Sequence, residues 1–319
     1  MSLLDLVRER CAEVASRARY VHIDHRRVPS YAASLPLEQA VCPAIDPDTH
    51  YLGHGDDTAA FLLTLDAINF GSGYFPRLRK RPGLSGYFTV AASLNDYYRA
   101  HGPLSAEQLV ALTPEDCAHI FGQDLADPAM RELMGHFATA LNDLGRFLLE
   151  RFRGSFRTLI EAAEGSAERL TELLSAMPYF RDIEAYDGLE VPFFKRAQLS
   201  AADLSVAFGG QGLGHFADLD RLTIFADNLV PHVLRVDGVL IYEPGLAARI
   251  DREELIPAGS PEEVEIRACA VRAVELIGAW LRGAGQWVTS HQLDYLLWNR
   301  GHEPPYKARP RHRTRTVYY

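Results

Sequence analysis

Apolar residues recur at helical spacing along most of the chain. A first amphipathic helix is predicted at 3–18 from Leu3, Leu4, Val7, Cys11 and Val14. Further helices are predicted at 54–68, 88–98, in two short segments after Pro103, and at 128–152, 155–164, 166–176, 200–208, 222–235, 262–282 and 290–299. Asp56 or Asp57 is the expected cap of the helix at 54–68. Since Pro231 interrupts 222–235, that helix is expected to bend near Asp227.

Strand patterns are few and short. Residues Ile183 to Phe194 contain two apolar runs around Asp187-Gly188, which predicts a β-hairpin, and Tyr20 to Ile23 predicts another short strand. Residues 70–86 are rich in Gly, Pro and Arg and predict an irregular loop. The fold class expected is therefore mainly α with a small β-hairpin. With no repeat or linker, a single domain is predicted over 1–319, with a basic tail at 307–319.

Composition narrows the classes of function. The 319 residues include 33 Lys and Arg against 42 Asp and Glu, so the net charge is −9, which argues against a general nucleic-acid binder. No apolar run reaches the roughly 20 residues of a membrane span. Met1 to Arg19 lacks the apolar block of a secretory signal. The four cysteines, Cys11, Cys42, Cys117 and Cys269, are far apart in sequence and predict reduced, mostly buried thiols in a cytoplasmic protein.

A glycine-rich turn is the densest cluster of unusual residues. Between two predicted helices, residues 208–216 carry four glycines, which require positive φ angles or close backbone contacts. The spacing does not fit a dinucleotide-binding fingerprint and is closer to a helix-hairpin-helix turn. In glycosylases with that motif a carboxylate follows the turn, and Asp227 has about that position. The alternative is a turn with a purely structural role.

Three other features are candidates for chemistry. Asp294 lies one turn into an otherwise apolar helix that Thr289 or Ser290 caps, and a buried carboxylate is costly unless it is hydrogen-bonded or used in chemistry. The alternative is an aspartate at the surface or one that anchors its neighbours. His50, ahead of an acidic loop, is a weaker candidate. Five basic residues without an acid form an anion-attracting segment or a solvated terminus: Lys307, Arg309, Arg311, Arg313 and Arg315.

At these positions the chain resembles a known family, the queuosine salvage proteins, which are queuosine 5′-phosphate N-glycosylases. The motifs that carry the resemblance run from residue 65 to the C-terminus: Leu65 to Phe70, Ser85 to Tyr87, Phe193 to Gln198, Gly210 to Asp218, Leu222 to Pro231, Thr289 to Trp298, Arg313 to Arg315 and Val317 to Tyr319. One departure is Gly71 to Phe75, where family members often carry Phe-Trp.

The resemblance implies a helical fold similar to helix-hairpin-helix DNA glycosylases. It also implies hydrolysis of queuosine 5′-monophosphate to queuine and ribose 5-phosphate, without a metal or organic cofactor. By matched position it suggests Asp294 as nucleophile or transition-state stabiliser. Asp227 is the second candidate, by analogy with helix-hairpin-helix enzymes. Phe216 and Asp218 are suggested as contacts to the base, Thr289 and Ser290 lie nearby, and His50 is a looser match.

These residue types suit the chemistry that the resemblance implies. Cleavage of an N-glycosidic bond builds positive charge on the ribose, which a carboxylate such as Asp294 stabilises in a dry site. Asp218 is able to accept hydrogen bonds from a guanine-like edge, and Phe216 to stack on the base. For the 5′-phosphate, the candidates are the helix start at Thr289-Ser290, Lys195 and the basic tail.

Two alternatives remain open from the sequence. One is a helix-hairpin-helix glycosylase that acts on a base in DNA or RNA, which the acidic net charge disfavours. The other is a non-catalytic protein that binds a nucleoside. The expected partner is a small nucleotide, queuosine 5′-monophosphate, together with its product queuine, and neither a polynucleotide nor a membrane.

Overall fold

The computed structural model describes residues 2–40 and 43–319, and its chain falls into two compact units. The first unit consists of Met1–Pro43, Asp182–Lys195 and Asp220–Arg315, and the second of Ala44–Arg181, Arg196–Leu219 and Thr316–Tyr319. Because these segments alternate along the chain, neither unit is one continuous stretch, so no linker marks a boundary in the sequence. That the two units form the single domain predicted for residues 1–319 remains a prediction.

Helices make up most of the described chain, which confirms the mainly α class. In chain order they are α1 (Leu3–Arg17), α2 (Arg27–Ala33), α3 (Asp56–Ala67), α4 (Gly86–His101), α5 (Ala106–Ala111), α6 (Pro114–Phe121), α7 (Pro128–Phe152), α8 (Phe156–Glu161), α9 (Ala167–Leu174), α10 (Lys195–Ala207), α11 (Leu229–Val236), α12 (Pro244–Asp251), α13 (Pro261–Gly283), α14 (Ser290–Arg300) and α15 (Pro304–Lys307). None of these helices combines the length and the apolar character that a membrane crossing requires.

The strands form two small antiparallel pairs. Strands β2 (Ile183–Tyr186) and β3 (Leu189–Pro192) make the predicted hairpin, and Asp187 and Gly188 both have positive φ angles in its turn. The predicted strand at Tyr20 to Ile23 is confirmed as β1 (Val21–Ile23). Its partner β4 (Leu240–Tyr242) was not predicted, because a run of three apolar residues carries no alternation.

The helix predicted at 222–235 is wrong in its first half. Residues 222–228 are irregular, and α11 begins only at Leu229. The reason is Asp227, whose Oδ1 accepts the N–H groups of Leu229 at 2.7 Å and Val230 at 3.2 Å. Pro231 then falls in the first turn, where a missing N–H costs no helical hydrogen bond and no bend is needed.

The cap predicted for α3 is also wrong. The N-cap is Gly55 with a φ angle of 59°, while Asp56 and Asp57 lie within the first turn. There the two carboxylates complement the positive end of the helix. Asp56 in addition forms an ion pair with Arg157.

In the first unit, α13 is the central helix and packs against α1, α2, α11 and β1. Most of its residues are buried, including the charged Glu263, Glu265 and Arg267. Glu265 is fully satisfied, since Oε2 accepts the N–H groups of Tyr20 and Val21 and Oε1 accepts the hydroxyl of Tyr186. These buried charges therefore fix backbone segments rather than face solvent.

In the second unit, α7 is the central helix and packs against α3, α5, α6 and α8. Its predicted apolar stripe is buried as expected: Leu133, Phe137, Leu141, Leu144, Phe147 and Leu148. Gly145 lets α5 approach closely, because a Cβ at that position would lie 2.6 Å from the carbonyl oxygen of Ala106.

A buried arginine ties the end of the chain to this second unit. Arg196 donates to the carbonyl oxygens of Ala67 at 2.6 Å and Val317 at 2.8 Å. Its guanidinium also lies over the rings of Phe70 and Phe180. A lysine could not replace it, because a point charge lacks the planar group that both stacks and donates in several directions.

The cysteines that the structure describes, Cys11, Cys117 and Cys269, are buried and not disulfide-bonded. Burial raises the pKa of each of these thiols, which makes them poor nucleophiles. Cys42, the fourth predicted thiol, lies outside the described residues.

Candidate active site

Asp294 lies inside the first unit, one turn after the start of α14. The helix begins with a capping box between Thr289 and Gln292, and its apolar residues carry Asp294 into the interior. Only 5% of the residue surface remains exposed. Among the described residues its carboxylate accepts one hydrogen bond, from the N–H of Phe225 to Oδ1 at 2.8 Å. So buried and sparsely bonded a carboxylate is costly for the fold and typical of a functional site.

The charge state of Asp294 depends on its burial and on groups from two other segments of the chain. Burial raises the pKa of Asp294 well above its ordinary value, and the negative charge of Asp227 raises it further. The N–H of Phe225 and the ammonium of Lys195 lower the same pKa, since each stabilises the anion. Asp294, Asp227 and Lys195 thus share one electrostatic environment, as expected for an acid–base pair with a nearby cation.

Asp227, the second catalytic candidate, is half-buried directly before α11. Its Oδ1 takes the two N–H groups at the start of that helix, so the carboxylate lies at the positive end of the helix. Within the described chain, no hydrogen bond is formed by its second oxygen. The negative charge of Asp227 reaches Asp294, His302 and Arg311.

Lys195 is held by a backbone turn that the sequence did not predict. Phe194, which precedes it, is buried and has a φ angle of 49°, a conformation that costs energy for a bulky side chain. Asp182 fixes this turn, because its carbonyl oxygen accepts the N–H of Phe193 at 2.9 Å and its Oδ2 accepts the N–H of Lys195 at 3.1 Å. Strain compensated in this way is common next to functional groups.

A buried ion pair connects the Lys195 turn with the segment that carries Asp227. Arg267 binds both carboxylate oxygens of Asp182, at 2.9 and 2.6 Å, and donates from Nε to the carbonyl oxygen of Ala226 at 2.9 Å. Since Ala226 lies between Phe225 and Asp227, one guanidinium orders both segments. This pair was not predicted from the sequence. Arg267 is one of several charged residues of α13 and does not differ from them in the sequence, and Asp182 carried no signal of its own.

Thr289 and Ser290 serve mainly to fix α14. The Thr289 hydroxyl caps the helix and contacts Nδ1 of His291 at 3.0 Å, and the Ser290 hydroxyl donates to Glu275 at 2.8 Å. Burial lowers the pKa of His291 to about 4, so its ring is neutral near pH 7. Because these side chains are engaged, the binding of an anion at this helix start remains a prediction that no contact in the structure supports.

Asp218 belongs to the second unit and binds the start of α9. Its carboxylate accepts the Ser166 hydroxyl at 2.8 Å and the N–H groups of Ala167 at 2.6 Å and Glu168 at 3.3 Å. Both oxygens are used, and the helix N-terminus favours their negative charge. The base contact predicted for Asp218 stays a prediction. Its contacts in the structure give Asp218 a capping role.

The glycine turn before Asp218 has the backbone geometry that the sequence predicted. Gly209, Gly210 and Gly212 have positive φ angles, and a Cβ at Gly214 would lie 2.5 Å from the Leu204 carbonyl oxygen. The turn leads into a short 3₁₀ segment and then an irregular stretch, so the closer likeness to helix-hairpin-helix glycosylases is not confirmed. Phe216 is buried after this turn and pairs with no aromatic ring among the described residues.

His50, also in the second unit, is buried with both ring nitrogens engaged. Nδ1 lies 3.1 Å from the Asp46 carbonyl oxygen and Nε2 lies 3.0 Å from the Tyr87 hydroxyl. A carbonyl accepts only, so Nδ1 carries the proton and Nε2 accepts from Tyr87. Burial lowers the pKa of His50, which keeps the ring neutral. This pattern is that of a structural histidine, and substrate binding by His50 stays a prediction.

Metal ligands are not clustered in the part of the chain that the structure describes. Within residues 2–40 and 43–319, no group of three or more His, Cys, Asp or Glu side chains is placed to hold a metal ion.

Comparison with known proteins gives a consistent result. A family model described as queuosine salvage protein matches residues 49–319. Three similar proteins each bear the name queuosine 5′-phosphate N-glycosylase/hydrolase. The protein from Sphaerobacter thermophilus is 40% identical over 96% of this chain and 95% of its own. Those from Dictyostelium discoideum and Mus musculus are 34% identical over 82% and 78%, and 33% identical over 98% and 98%, respectively.

Proposed function

Because the chain belongs to the queuosine salvage protein family, we propose that it hydrolyses the N-glycosidic bond of queuosine 5′-phosphate and releases queuine and ribose 5-phosphate. The observation that carries this proposal is Asp294, a buried carboxylate with one hydrogen-bond donor, beside Asp227 and Lys195. The released queuine is then available for salvage into tRNA modification.

Asp294 is the group that stabilises the transition state in this proposal. As the bond between the ribose and the base breaks, its electron pair leaves with the base and positive charge develops on the sugar. Burial destabilises the Asp294 anion in the free enzyme, and a developing cation next to it offsets that cost. The interaction is therefore stronger in the transition state than in the ground state, which is what accelerates a reaction.

Asp227 is the second carboxylate of the proposed mechanism. It is partly exposed and held at a helix start, which suits a base that takes a proton from the attacking water. The water oxygen forms the new bond to the anomeric carbon. Asp227 takes one proton of the water, and the other proton stays in the new hydroxyl group. The proton on Asp227 is then passed on to the departing base, which leaves the carboxylate as it was. The base is a 7-deazaguanine with carbon in place of N7, so protonation at N7 is not available and the sugar side carries more of the catalysis.

Recognition of the base is assigned to Phe216 and Asp218 in this proposal. Phe216 is proposed to stack on the flat 7-deazaguanine, an assignment supported by a ring that pairs with no aromatic neighbour in the described chain. Asp218 is proposed to hold this segment through its contacts with the start of α9, in addition to the base contact expected from the sequence.

No cofactor is needed in this proposal, since hydrolysis takes only water as its second reactant. We also expect the enzyme to act in the cytoplasm and on a small nucleotide. The net charge of −9 supports the second expectation, because polynucleotide binding requires a basic surface.

The test is incubation of the purified protein with queuosine 5′-phosphate, queuosine and guanosine 5′-phosphate, with the free base detected by chromatography. We expect queuine from the first substrate and little or no guanine from the last. Comparison of queuosine 5′-phosphate with queuosine shows whether the enzyme requires the 5′-phosphate. Absence of base release from all three would leave a nucleoside-binding protein, and release from a polynucleotide alone would favour a nucleic-acid glycosylase.

A further inference from the structure

The basic segment 307–315 is anchored to the first unit rather than solvated as a free tail. Nε2 of His232 contacts the Tyr306 carbonyl oxygen at 2.9 Å, and the Asn228 side chain donates to the His312 carbonyl oxygen at 3.4 Å. Further along, the Ile256 N–H donates to the Arg313 carbonyl oxygen at 2.8 Å. Since Asn228 directly follows Asp227, these contacts bring the segment to the side of the candidate active site that holds Asp227.

Arg311 differs from the other arginines around it. Its side chain is solvent-exposed, yet burial among protein atoms lowers its pKa. Protein atoms therefore lie close around a guanidinium that still reaches solvent. The guanidinium still carries its charge at neutral pH.

Arg311 also has no fixed anionic partner. Within residues 2–40 and 43–319 it forms neither a hydrogen bond nor an ion pair, although the charge of Asp227 reaches it. Arg313, two residues on, is already paired with Glu253. The Arg311 guanidinium thus lies within electrostatic reach of Asp227, and its N–H donors are not used by any contact within the described residues.

We propose that Arg311 binds the 5′-phosphate of the substrate and so makes the enzyme select a nucleotide over a nucleoside. This inference rests on the proposed function. A ribose 5-phosphate carries its phosphate within one sugar ring of the anomeric carbon, so a cation that binds it must lie near the carboxylates that act on the sugar. Arg311 meets this condition, because the charge of Asp227 reaches its guanidinium.

The charge balance of the site supports the same assignment. Asp227 and Asp294 repel a phosphate dianion, so a nucleotide enters this site only if a cation compensates for the repulsion. A guanidinium binds phosphate through two parallel hydrogen bonds and fixes its orientation as well. Another candidate, the start of α14, already has its N3 N–H satisfied by the Thr289 hydroxyl.

The test compares kcat/KM for queuosine 5′-phosphate and for queuosine in the wild type, in Arg311→Gln and in Arg309→Gln. Arg309 is an exposed arginine of the same segment whose side chain forms no hydrogen bond or ion pair in the described chain, so it is a matched control for loss of one positive charge. We expect the preference for the nucleotide to fall about 100-fold in Arg311→Gln and to change little in Arg309→Gln. Inhibition by ribose 5-phosphate should weaken in parallel.

The outcomes separate this inference from the proposed function. If the wild type releases no base from either substrate, the proposed function fails. If the wild type is active and Arg311→Gln retains the wild-type preference, only the phosphate assignment fails. Equal losses for both substrates would likewise overturn it, since a structural role affects nucleotide and nucleoside alike. If Arg311→Gln and Arg309→Gln lower the preference equally, the segment attracts the phosphate only by its overall charge, and the assignment to Arg311 is wrong.

Discussion

Asp218 and Asp294 are two aspartates with opposite environments. In the second unit, Asp218 receives the Ser166 hydroxyl and the N–H groups of Ala167 and Glu168, so both of its oxygens are satisfied at a helix start. In the first unit, Asp294 receives one N–H within the described chain and is otherwise surrounded by protein. The first arrangement stabilises the fold, whereas the second raises the energy of the anion.

The difference separates a structural aspartate from one proposed to act in catalysis. A carboxylate that is fully bonded gains little from a passing cation, because its lone pairs are already occupied. A carboxylate that is buried with one donor gains a great deal when positive charge develops beside it. Each aspartate is thus expected to respond differently to the same substitution, one through stability and the other through catalysis.

The largest expected effect is on turnover in Asp294→Asn. We expect kcat to fall about 1,000-fold, because the variant keeps the shape of the site and loses the charge that acts in the transition state. Stability should stay the same or rise, since a costly buried charge is removed. Single-turnover release of queuine and thermal unfolding measure the two quantities. Near-normal kcat would remove Asp294 from the catalytic role and with it the contrast to Asp218.

Asp218→Ala is expected to show the reverse pattern, with a smaller effect. Loss of a cap at a helix start lowers the free energy of unfolding by about 1–2 kcal/mol. Denaturant unfolding of Asp218→Ala, Ser166→Ala and the double variant measures the coupling between the two side chains. A coupling near zero would show that the capping contact contributes nothing. A loss of activity beyond the loss of folded protein would support the predicted contact with the base.

Features that depend on neighbours along the chain were predicted from the sequence, and features that depend on distant partners were not. Local patterns predicted the apolar stripe of α7, the Asp187-Gly188 hairpin and the backbone of the glycine turn, since each depends on neighbours along the chain. The Asp182–Arg267 pair and the β1–β4 pairing could not be predicted, because their partners are far apart in sequence and neither motif is distinctive by itself.

Asp227 shows another limit of prediction from the sequence. Its helical surroundings were predicted from periodicity, but the carboxylate competes for the N–H groups of Leu229 and Val230 and begins a new helix instead. Asp294 was identified by its type and by the family motif. Its single donor and the role of Lys195 depend on tertiary structure.

The pH dependence of the reaction tests the link between Asp227 and Asp294. Since burial and, after it, the charge of Asp227 raise the pKa of Asp294, the acidic limb of kcat/KM should lie above the range of an ordinary aspartate. Asp227→Asn removes that charge and should move the limb to lower pH, whereas Lys195→Met should move it to higher pH. A limb that stays in place in both variants would show that its pKa belongs to another group. Because the two carboxylates interact, the pKa read from this limb belongs to the pair of Asp227 and Asp294 and not to one residue alone.

The smallest expected effect concerns stability at a site that does no chemistry. Burial raises the pKa of Glu184 from 4.5 to about 7, with Glu263 adding repulsion. The folded state therefore holds this proton more tightly than the unfolded state. The contribution of Glu184 to stability declines as pH rises from about 4.5 to about 7 and is constant above that.

Glu184→Gln removes this decline, because glutamine resembles the protonated acid at every pH. The variant should match the wild type near pH 4.5 and exceed it above pH 7 by about 1 kcal/mol, a value reduced by the partial exposure of the side chain. Buried histidines act in the opposite direction. Burial lowers the pKa of His302 to about 4 and that of His312 to about 3. Because the unfolded state then binds protons first, the free energy of unfolding falls as the pH drops below 6.5. Subtracting the wild-type curve from the variant curve cancels that background. If the difference has the same value at pH 4.5 and pH 8, Glu184 titrates alike in the folded and unfolded states, and its surroundings do not destabilise its anion.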